Sequence, residues 1–358
     1  MKKLLYITNA INGSGGLERV LSIKASAFAE SGRYEVHIAV LNAGADDVFY
    51  TFHPSIQYHS VRVFGNPLLY VWRYCKGFHS LVKKIQPDIV LVCDDGTKAF
   101  FLPIILPKKQ PIIYERHVSK NILLGKTAQF QAWIMDRLAS KFDAFVVLTS
   151  QNKKDWPVLP NLKVIPNPLS FYPVQVAALQ NKKVLAVGKQ SFQKGYDQLL
   201  LAWQKVQSSF PEWCLEIYGK LDPTLGLEQE TKALGIADSV RFFPPVKAIQ
   251  DKYLDSSIYV MSSRFEGFGM VLIEAMACGV PCVSFDCPYG PSDIITHEED
   301  GLLVPLYDNN AFAQQLMRLM DSEELRKQMG LHARKNVQRF LIEPICEQWE
   351  ELFQSLCK

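Results

Sequence analysis

The chain has 358 residues, 48% of them hydrophobic and 21% charged, which excludes a disordered chain and suits two domains that each bury a core. The net charge of +3 hides an asymmetry between the two halves, no nucleic-acid partner is expected, and no segment reaches the roughly 18 consecutive apolar residues of a membrane span.

Residues 3–10 form an apolar, β-rich run. It is read as a first buried strand and not as a signal peptide, because Thr8-Asn9 break it and glycine-rich sequence follows. A turn at Asn12-Gly13-Ser14-Gly15-Gly16 leads into a helix over 17–30, with apolar residues at 17, 20, 21, 25 and 28 and a stop at Gly32. Strands follow at 35–41, 88–93, 111–114 and 144–148, with helices such as 70–85 and 129–141 between them. That alternation predicts a parallel sheet covered on both faces. The pattern lapses at Val164-Ile165-Pro166-Asn167-Pro168 and restarts with a strand at 183–187. Further strands are expected at 214–218, 240–243, 258–261 and 281–285, with helices at 196–208, 270–277 and from Asn309 onward. The fold class is therefore α/β, with two doubly wound Rossmann-like domains. Residues 1–165 make the first, 166–182 a linker and 183–340 the second; a last helix over 341–358 is expected to pack back towards the first. Ligands of such sheets bind beyond the strand C-termini, so the expected site is a cleft between the halves.

Eight cysteines, at 75, 93, 214, 278, 282, 287, 346 and 357, form no C-x-x-C pair and lie mostly in apolar segments. They read as buried thiols. The spacing of Cys278, Cys282 and Cys287 fits no common zinc pattern, so no metal is expected.

Three loops carry candidate chemistry. Gly13-Ser14-Gly15-Gly16-Leu17-Glu18-Arg19 lies between strand and helix, as a tight turn or as an anion-binding loop. Glu18 stands where the third glycine of a dinucleotide fingerprint would be, which argues against NAD. Gly188-Lys189-Gln190-Ser191-Phe192-Gln193-Lys194-Gly195 puts two cations five apart at a strand mouth, where they could clamp a diphosphate. Glu266-Gly267-Phe268-Gly269-Met270 opens a helix whose Glu274 is surrounded by Leu272, Ile273, Ala275 and Met276. A carboxylate there wants a donor, and sugar or ribose hydroxyls are donors. The loop's N–H groups can face phosphate. Paired carboxylates could instead do glycosidase chemistry or merely cap the helix.

These motifs resemble glycosyltransferase family 4, the retaining enzymes of the GT-B fold. Glu266 and Glu274 match its E-x7-E motif, Gly188-Lys189 with Lys194-Gly195 its G-R…K-G pair, and Gly15-Gly16 with Glu18-Arg19 its N-terminal glycine loop. Residues 285–295 and 300–304 resemble a branch that builds bacterial exopolysaccharide, capsule or O-antigen. The resemblance implies a hexosyltransferase moving a sugar from a nucleotide-sugar, a UDP-sugar by expectation, to a lipid-linked glycan. Glu266 would hold donor-sugar hydroxyls and Glu274 the ribose. Lys189 and Lys194 would neutralise the diphosphate in place of a metal, so no cofactor is expected. Gly16, Gly188 and the backbone of Gly267, Phe268, Gly269 and Met270 would complete the donor site. Gly15, Gly16, Glu115, Arg116 and His117 would face the acceptor. Retention in such enzymes is viewed as front-face attack, the leaving phosphate taking the acceptor's proton.

Two departures stand out. Lys189 replaces the family's usual Arg and loses its bidentate fork. Arg116 aligns with the family's usual active-site His, and His117 stands next to it. The rival readings are a nucleotide-sugar 2-epimerase of the same fold and a non-catalytic sugar-nucleotide binder.

Residues 1–165 hold 21 Lys and Arg against 12 Asp and Glu, an excess of +9, whereas residues 166–358 hold 18 against 24, or −6. The basic half mixes cations with aromatics at Trp72, Arg73, Tyr74, Lys76, Lys83 and Lys84. It also carries an apolar run over 101–107 that ends in Lys108-Lys109, and Trp133 within 121–141. Core aromatics beside a solvated lysine face is one reading. The other is a surface for anionic lipid, which would place the protein on the cytoplasmic face of the inner membrane.

Overall fold

The structure is a computed structural model, and it describes residues 1–13, 15–42, 48–119 and 128–357. Ser14 of the first loop and residues 121–127 of the aromatic stretch lie outside the described residues. The chain divides into two compact units: Met1–Ser170 with Ile342–Lys358, and Phe171–Leu341.

Unit 1 holds β1 (Lys2–Thr8), α1 (Gly16–Glu30), β2 (Tyr34–Leu41), β3 (Gln57–Val61), α2 (Pro67–Ile85), β4 (Ile89–Cys93), α3 (Leu102–Ile105), β5 (Ile112–Arg116), α4 (Ala128–Ala139), β6 (Ala144–Val147) and β7 (Leu162–Val164). All seven strands are parallel, in the order β3-β2-β1-β4-β5-β6-β7. Buried on both faces, the central strands are continuous apolar runs such as Ile89-Val90-Leu91-Val92-Cys93, without the alternation of a half-exposed sheet. One face packs on Leu21, Ala25 and Phe28 of α1; the other packs on Tyr74, Phe78 and Val82 of α2.

Unit 2 holds β8 (Lys183–Val187), α5 (Tyr196–Gln207), β9 (Cys214–Tyr218), α6 (Leu227–Ala233), β10 (Val240–Phe243), α7 (Ile249–Leu254), β11 (Ile258–Met261), α8 (Met270–Ala277), β12 (Cys282–Phe285), α9 (Pro291–Ile294), β13 (Gly301–Val304), α10 (Asn309–Asp321) and α11 (Glu323–Asn336). Its six strands are also parallel, in the order β10-β9-β8-β11-β12-β13. The last helix, α12 (Ile342–Leu356), belongs to unit 1, where Ile345, Trp349 and Phe353 join the α1 face of the core.

In each sheet the strand order reverses once, between β1 and β4 and between β8 and β11. Such a switch leaves a crevice beyond the strand C-termini, because the two flanking crossovers leave on opposite faces. The loops after β1, β4, β8 and β11 are therefore where ligand groups gather.

Two features differ from the expectation. Helix α2 begins three residues earlier than the apolar period suggests, because the Asn66 side chain accepts the Leu69 N–H and Pro67 takes the first turn. The strands β3, β7 and β13 are additional to the expected ones; β3, with sequence Gln-Tyr-His-Ser-Val, shows no apolar run because it is an edge strand. The charge split also changes with α12. Its four glutamates bring unit 1 to 22 Lys and Arg against 16 Asp and Glu, or +6, and leave unit 2 with 17 against 20, or −3.

Candidate functional site

In unit 2, the loops after β8 and β11 are tied together before any ligand is considered. After β8 the chain passes Gly188, exposed Lys189 and buried Gln190, then a 3-10 turn over Phe192–Lys194 that ends at Gly195 with φ 61°. A Cβ on Gly195 would lie 2.3 Å from the Ser262 carbonyl oxygen, so only glycine permits this approach. Ser262 Oγ donates to the Lys194 carbonyl at 2.9 Å, the Arg264 N–H to Gln193 O at 2.8 Å, and Gln193 Nε2 to Phe265 O at 3.0 Å.

This stitching brings Lys194 Nζ to 2.8 Å from Glu266 Oε1, which also accepts from Ser263 Oγ at 2.6 Å. The pair is half-closed: the Lys194 side chain is 17% exposed and that of Glu266 9%. The segment after β12 supports it from behind. The Glu266 N–H donates to Pro288 O at 2.7 Å, and Gly290 approaches so closely that a Cβ would lie 1.8 Å from Phe268 O. Phe268 itself is buried, so only its backbone can meet a ligand. Gly269, with φ 104°, caps α8, and Glu274 lies buried one turn inside, accepting from the Tyr253 hydroxyl at 3.2 Å. Arg264 is committed elsewhere. Its guanidinium forks onto Asp197 at 2.9 and 2.5 Å; burial alone would raise that carboxyl's pKa, and the fork more than offsets it and lowers it.

In unit 1 a second charged group lies beside β1, β4 and β5. Glu115, at the end of β5, has a side chain only 2% exposed; Lys24 of α1 reaches it with a side chain 1% exposed. Lys24 Nζ donates to Glu115 Oε2, which also accepts from Cys93 Sγ at 3.2 Å. The same ammonium lies 4.1 Å from the ring centre of Trp349 and 5.7 Å from that of Tyr6. His117 Nε2 comes within 3.4 Å of Glu115 Oε1, while its backbone N–H donates to Asp95 Oδ1 at 3.0 Å. Burial pushes the Glu115 pKa up, but Lys24 foremost, and then His117, outweigh it and hold the carboxyl well below the usual range. Burial and Glu115 push the Cys93 thiol far up. Arg116 is buried too, its guanidinium donating to the carbonyls of Asp95 at 2.7 Å and Val118 at 3.0 Å. At the other loop, Gly15 and Gly16 are exposed at the start of α1, and a Cβ on Gly13 or Gly15 would meet the Glu18 carboxylate.

A family profile described as glycosyl transferases group 1 matches residues 173–336. An uncharacterized glycosyltransferase of Haemophilus influenzae is 31% identical over 98% of this chain and 99% of its own length. The amylovoran biosynthesis glycosyltransferase AmsD of Erwinia amylovora is 30% identical over 98% and 99%. The chain belongs to the group 1 glycosyltransferases. A Campylobacter jejuni N-acetylgalactosaminyltransferase, named for an undecaprenyl-diphosphate-linked glycan, is 27% identical over 99% of each chain. Among solved structures, TarM superposes with a TM-score of 0.84 over 99% of each chain at 16% identity, a likeness that speaks to fold alone. The fold of this glycosyltransferase is GT-B, built of two Rossmann-like domains.

Within unit 2 this glycosyltransferase brings Lys194 against Glu266, with Gly188 so near that a Cβ there would lie 2.7 Å from Lys194 Cε; Lys189 is exposed on the same loop, and Glu274 is buried against Tyr253. Within unit 1, Gly15 and Gly16 are exposed at a helix start, whereas Glu115 and Arg116 are buried. Sequence reasoning missed Lys24, Cys93 and Tyr253, and it took Pro288-Tyr289-Gly290 as part of a branch resemblance, not as support for Glu266. Lys24 did leave a signal: it falls three and four residues from Val20, Leu21 and Phe28, on the apolar face of its helix. Cys93, Glu115 and His117 have potential ligand atoms within 4.8 Å of one another. The Lys24 ammonium already supplies the positive charge at that carboxylate. The three cysteines weighed as a metal set, Cys278, Cys282 and Cys287, are free and buried.

Proposed function

We propose that this glycosyltransferase moves a hexose or N-acetylhexosamine from a UDP-sugar to a growing, polyprenyl-diphosphate-linked bacterial glycan, with retention at the anomeric carbon and without a metal. The observation that carries the reading is the Lys194–Glu266 contact of 2.8 Å at the mouth of β8 and β11, with Glu274 buried in the helix that follows. A diphosphate arriving at Lys194 exchanges one anion for another at the ammonium and frees Glu266 to accept hydrogen bonds from sugar hydroxyls. Exposed Lys189 adds a second cation at the β-phosphate, where negative charge grows as the bond breaks. Gly188 and the backbone from Gly267 to Met270 line the same mouth. Glu274 takes the ribose, and His117 stands on the acceptor side with Gly15 and Gly16. The amylovoran and Campylobacter relatives support a role in bacterial glycan assembly and a lipid-linked acceptor.

The acceptor's lipid places the enzyme at the cytoplasmic face of the inner membrane. No helix among the described residues is long and apolar enough to cross a membrane. Unit 1 instead exposes Leu68, Val71 and Trp72 on α2, Ile104 on α3, and Phe130 and Trp133 on α4; Lys76 sits 4.6 Å over the Trp72 ring. Tyr74 and Phe78 of the same helix are core. The aromatics therefore divide between a packed face and a face suited to a lipid interface, with Lys83, Lys84, Lys108 and Lys109 exposed for anionic headgroups.

The test is a thermal-shift screen of UDP- and GDP-sugars, followed by transfer assays with the best donor. A UDP-sugar at 100 times its dissociation constant stabilises by about 2.7 kcal/mol. Stabilisation by GDP-sugars alone would overturn the donor class. An inverted product anomer would overturn retention, and EDTA inhibition reversed by manganese would overturn metal independence. Epimerised UDP-sugar formed without acceptor would identify an epimerase. Vesicle flotation tests the location: binding to anionic lipid falls as salt rises, because screening shortens to about 3 Å at 1 M. Charge reversal of Lys83, Lys84, Lys108 and Lys109 releases the protein without changing UDP affinity.

A further inference from the structure

The Lys24–Glu115 pair has a cost that a structural account leaves unexplained. An ammonium with 1% side-chain exposure gives up its hydration, and an apolar side chain of similar length would pack there without that loss. The arrangement around Glu115 supplies the reason for a charge. Residues 115 and 117 point to the same side of an extended chain. The two oxygens of Glu115 divide accordingly: Oε2 meets Lys24 Nζ and Cys93 Sγ in the interior, and Oε1 faces His117 Nε2 at 3.4 Å. His117 Nε2 is itself buried and makes no hydrogen bond of ordinary geometry among the described residues, so Glu115 Oε1 is the acceptor that a hydrogen on it has within reach. Its ring is thus held beside a carboxylate whose charge is guaranteed from behind.

We infer that Lys24 is a positioning residue: through Glu115 it fixes the tautomer of His117 and so the orientation of its ring towards the acceptor. An ionised carboxylate is an acceptor only, so the nitrogen that faces it carries the hydrogen. Neutral His117 is then the Nε2–H tautomer, and its Nδ1 offers a lone pair to a hydroxyl of the acceptor sugar. That hydroxyl is not the reacting one, whose proton goes to the leaving phosphate. The inference rests on the reading of His117 as an acceptor-side group. The titratable groups facing Glu115 are Lys24 from α1, Cys93 from β4 and His117 from its own chain. Tyr6 from β1 and Cys346 from α12 lie next to Lys24, and Asp95 and Arg116 flank the histidine. The cysteine and tyrosine are held neutral by burial, which leaves Lys24 as the charge that keeps Glu115 ionised from the interior.

The experiment compares the wild type with the double variant K24M/E115Q, which removes both charges together and leaves no bare ion in the core, and with H117N. Long-range proton–nitrogen spectra of the full chain, labelled with nitrogen-15 in its seven histidines, report each ring's tautomer; H117N identifies the His117 signals. Wild-type His117 shows the Nε2–H form. In K24M/E115Q that preference disappears, because glutamine offers His117 a donor and an acceptor alike. In transfer assays, kcat/KM for the acceptor falls about tenfold in the double variant and in H117N. It falls no further when the three substitutions are combined, and UDP affinity is unchanged throughout. An unchanged tautomer in the folded double variant overturns the inference, as does unchanged transfer. Full transfer by H117N would instead overturn the acceptor-side role of His117, and the spectra would still decide whether Lys24 sets its tautomer.

Discussion

Each unit keeps one lysine–glutamate pair near the C-terminal ends of its central strands, and the two pairs are sealed to different degrees. In unit 1, Lys24 and Glu115 are 1% and 2% exposed, under the rings of Tyr6 and Trp349. In unit 2, Lys194 and Glu266 are 17% and 9% exposed, on loops held together by glycine contacts. A sealed pair cannot trade partners with a ligand, so whatever it does is done through its neighbours. A half-open pair can separate, because an incoming diphosphate or sugar hydroxyl replaces what each member gives up. On the proposed reading, the difference separates a positioning role from a ligand-binding one with the same two residue types.

Breaking one partner of each pair gives the largest contrast. Lys24→Met alone strands an ionised carboxylate in the core and is expected to cost about 3–5 kcal/mol in denaturant unfolding. Lys194→Met leaves Glu266 with Ser263 as donor and partial hydration, and is expected to cost about 1 kcal/mol or less. Equal losses would remove the distinction between the pairs.

Activity should reverse that order. Glu266→Gln keeps its shape and is expected to fold normally. Replacing a charge-assisted acceptor with an amide costs about 1.5–3 kcal/mol at the donor, roughly ten- to a hundredfold in transfer rate. Steady-state rates equal to wild type would take Glu266 out of the donor site.

Acid sharpens the comparison further. The Glu115 carboxyl is held below the usual range, against burial, by Lys24 and His117. It therefore contributes stability that is present above the unfolded value near about 4.3 and is lost as pH falls through the folded one. Between pH 4 and 3 the wild type should lose up to about 1.4 kcal/mol per pH unit from this group, a slope that K24M/E115Q lacks. Asp94, raised by burial, shifts both proteins alike and cancels in the difference.

How far the sequence announced these features follows the same division. The candidate site of unit 2 was legible because its residues lie in short stretches, 188–195 and 266–274, where glycines and charges fall together. Its supporting contacts were not: nothing local says that Gly290 touches Phe268 or that Tyr253 reaches Glu274. In unit 1, Glu115 and His117 were visible, but the residues that define them are 91 and 22 positions from Glu115, at Lys24 and Cys93. Such contacts exist only once a parallel sheet sets β1, β4 and β5 side by side. Alternation of strand and helix gave the α/β architecture, whereas the edge strand β3 was hidden because it is polar. The excess of +9 in residues 1–165 overstated the charge of the folded unit, since α12 returns with four glutamates.

The smallest expected effect separates the two cations of the β8 loop. Lys194 is anchored: its carbonyl accepts from Ser262, its ammonium meets Glu266, and Gly195 fixes the backbone beyond it. Lys189 is exposed on the same loop, so ordering its long side chain on a phosphate offsets part of what the charge contributes. Lys194→Ala should therefore weaken UDP binding more than Lys189→Ala does. Calorimetry with UDP and uridine separates the effects: both variants lose affinity for UDP and keep that for uridine. Lys189→Arg should recover more than the lysine gives, because a planar fork meets two phosphate oxygens at once. Equal losses for UDP and uridine in Lys194→Ala would place that lysine away from the diphosphate. The donor site would then have to be rebuilt around Lys189 and the backbone N–H groups of the α8 loop.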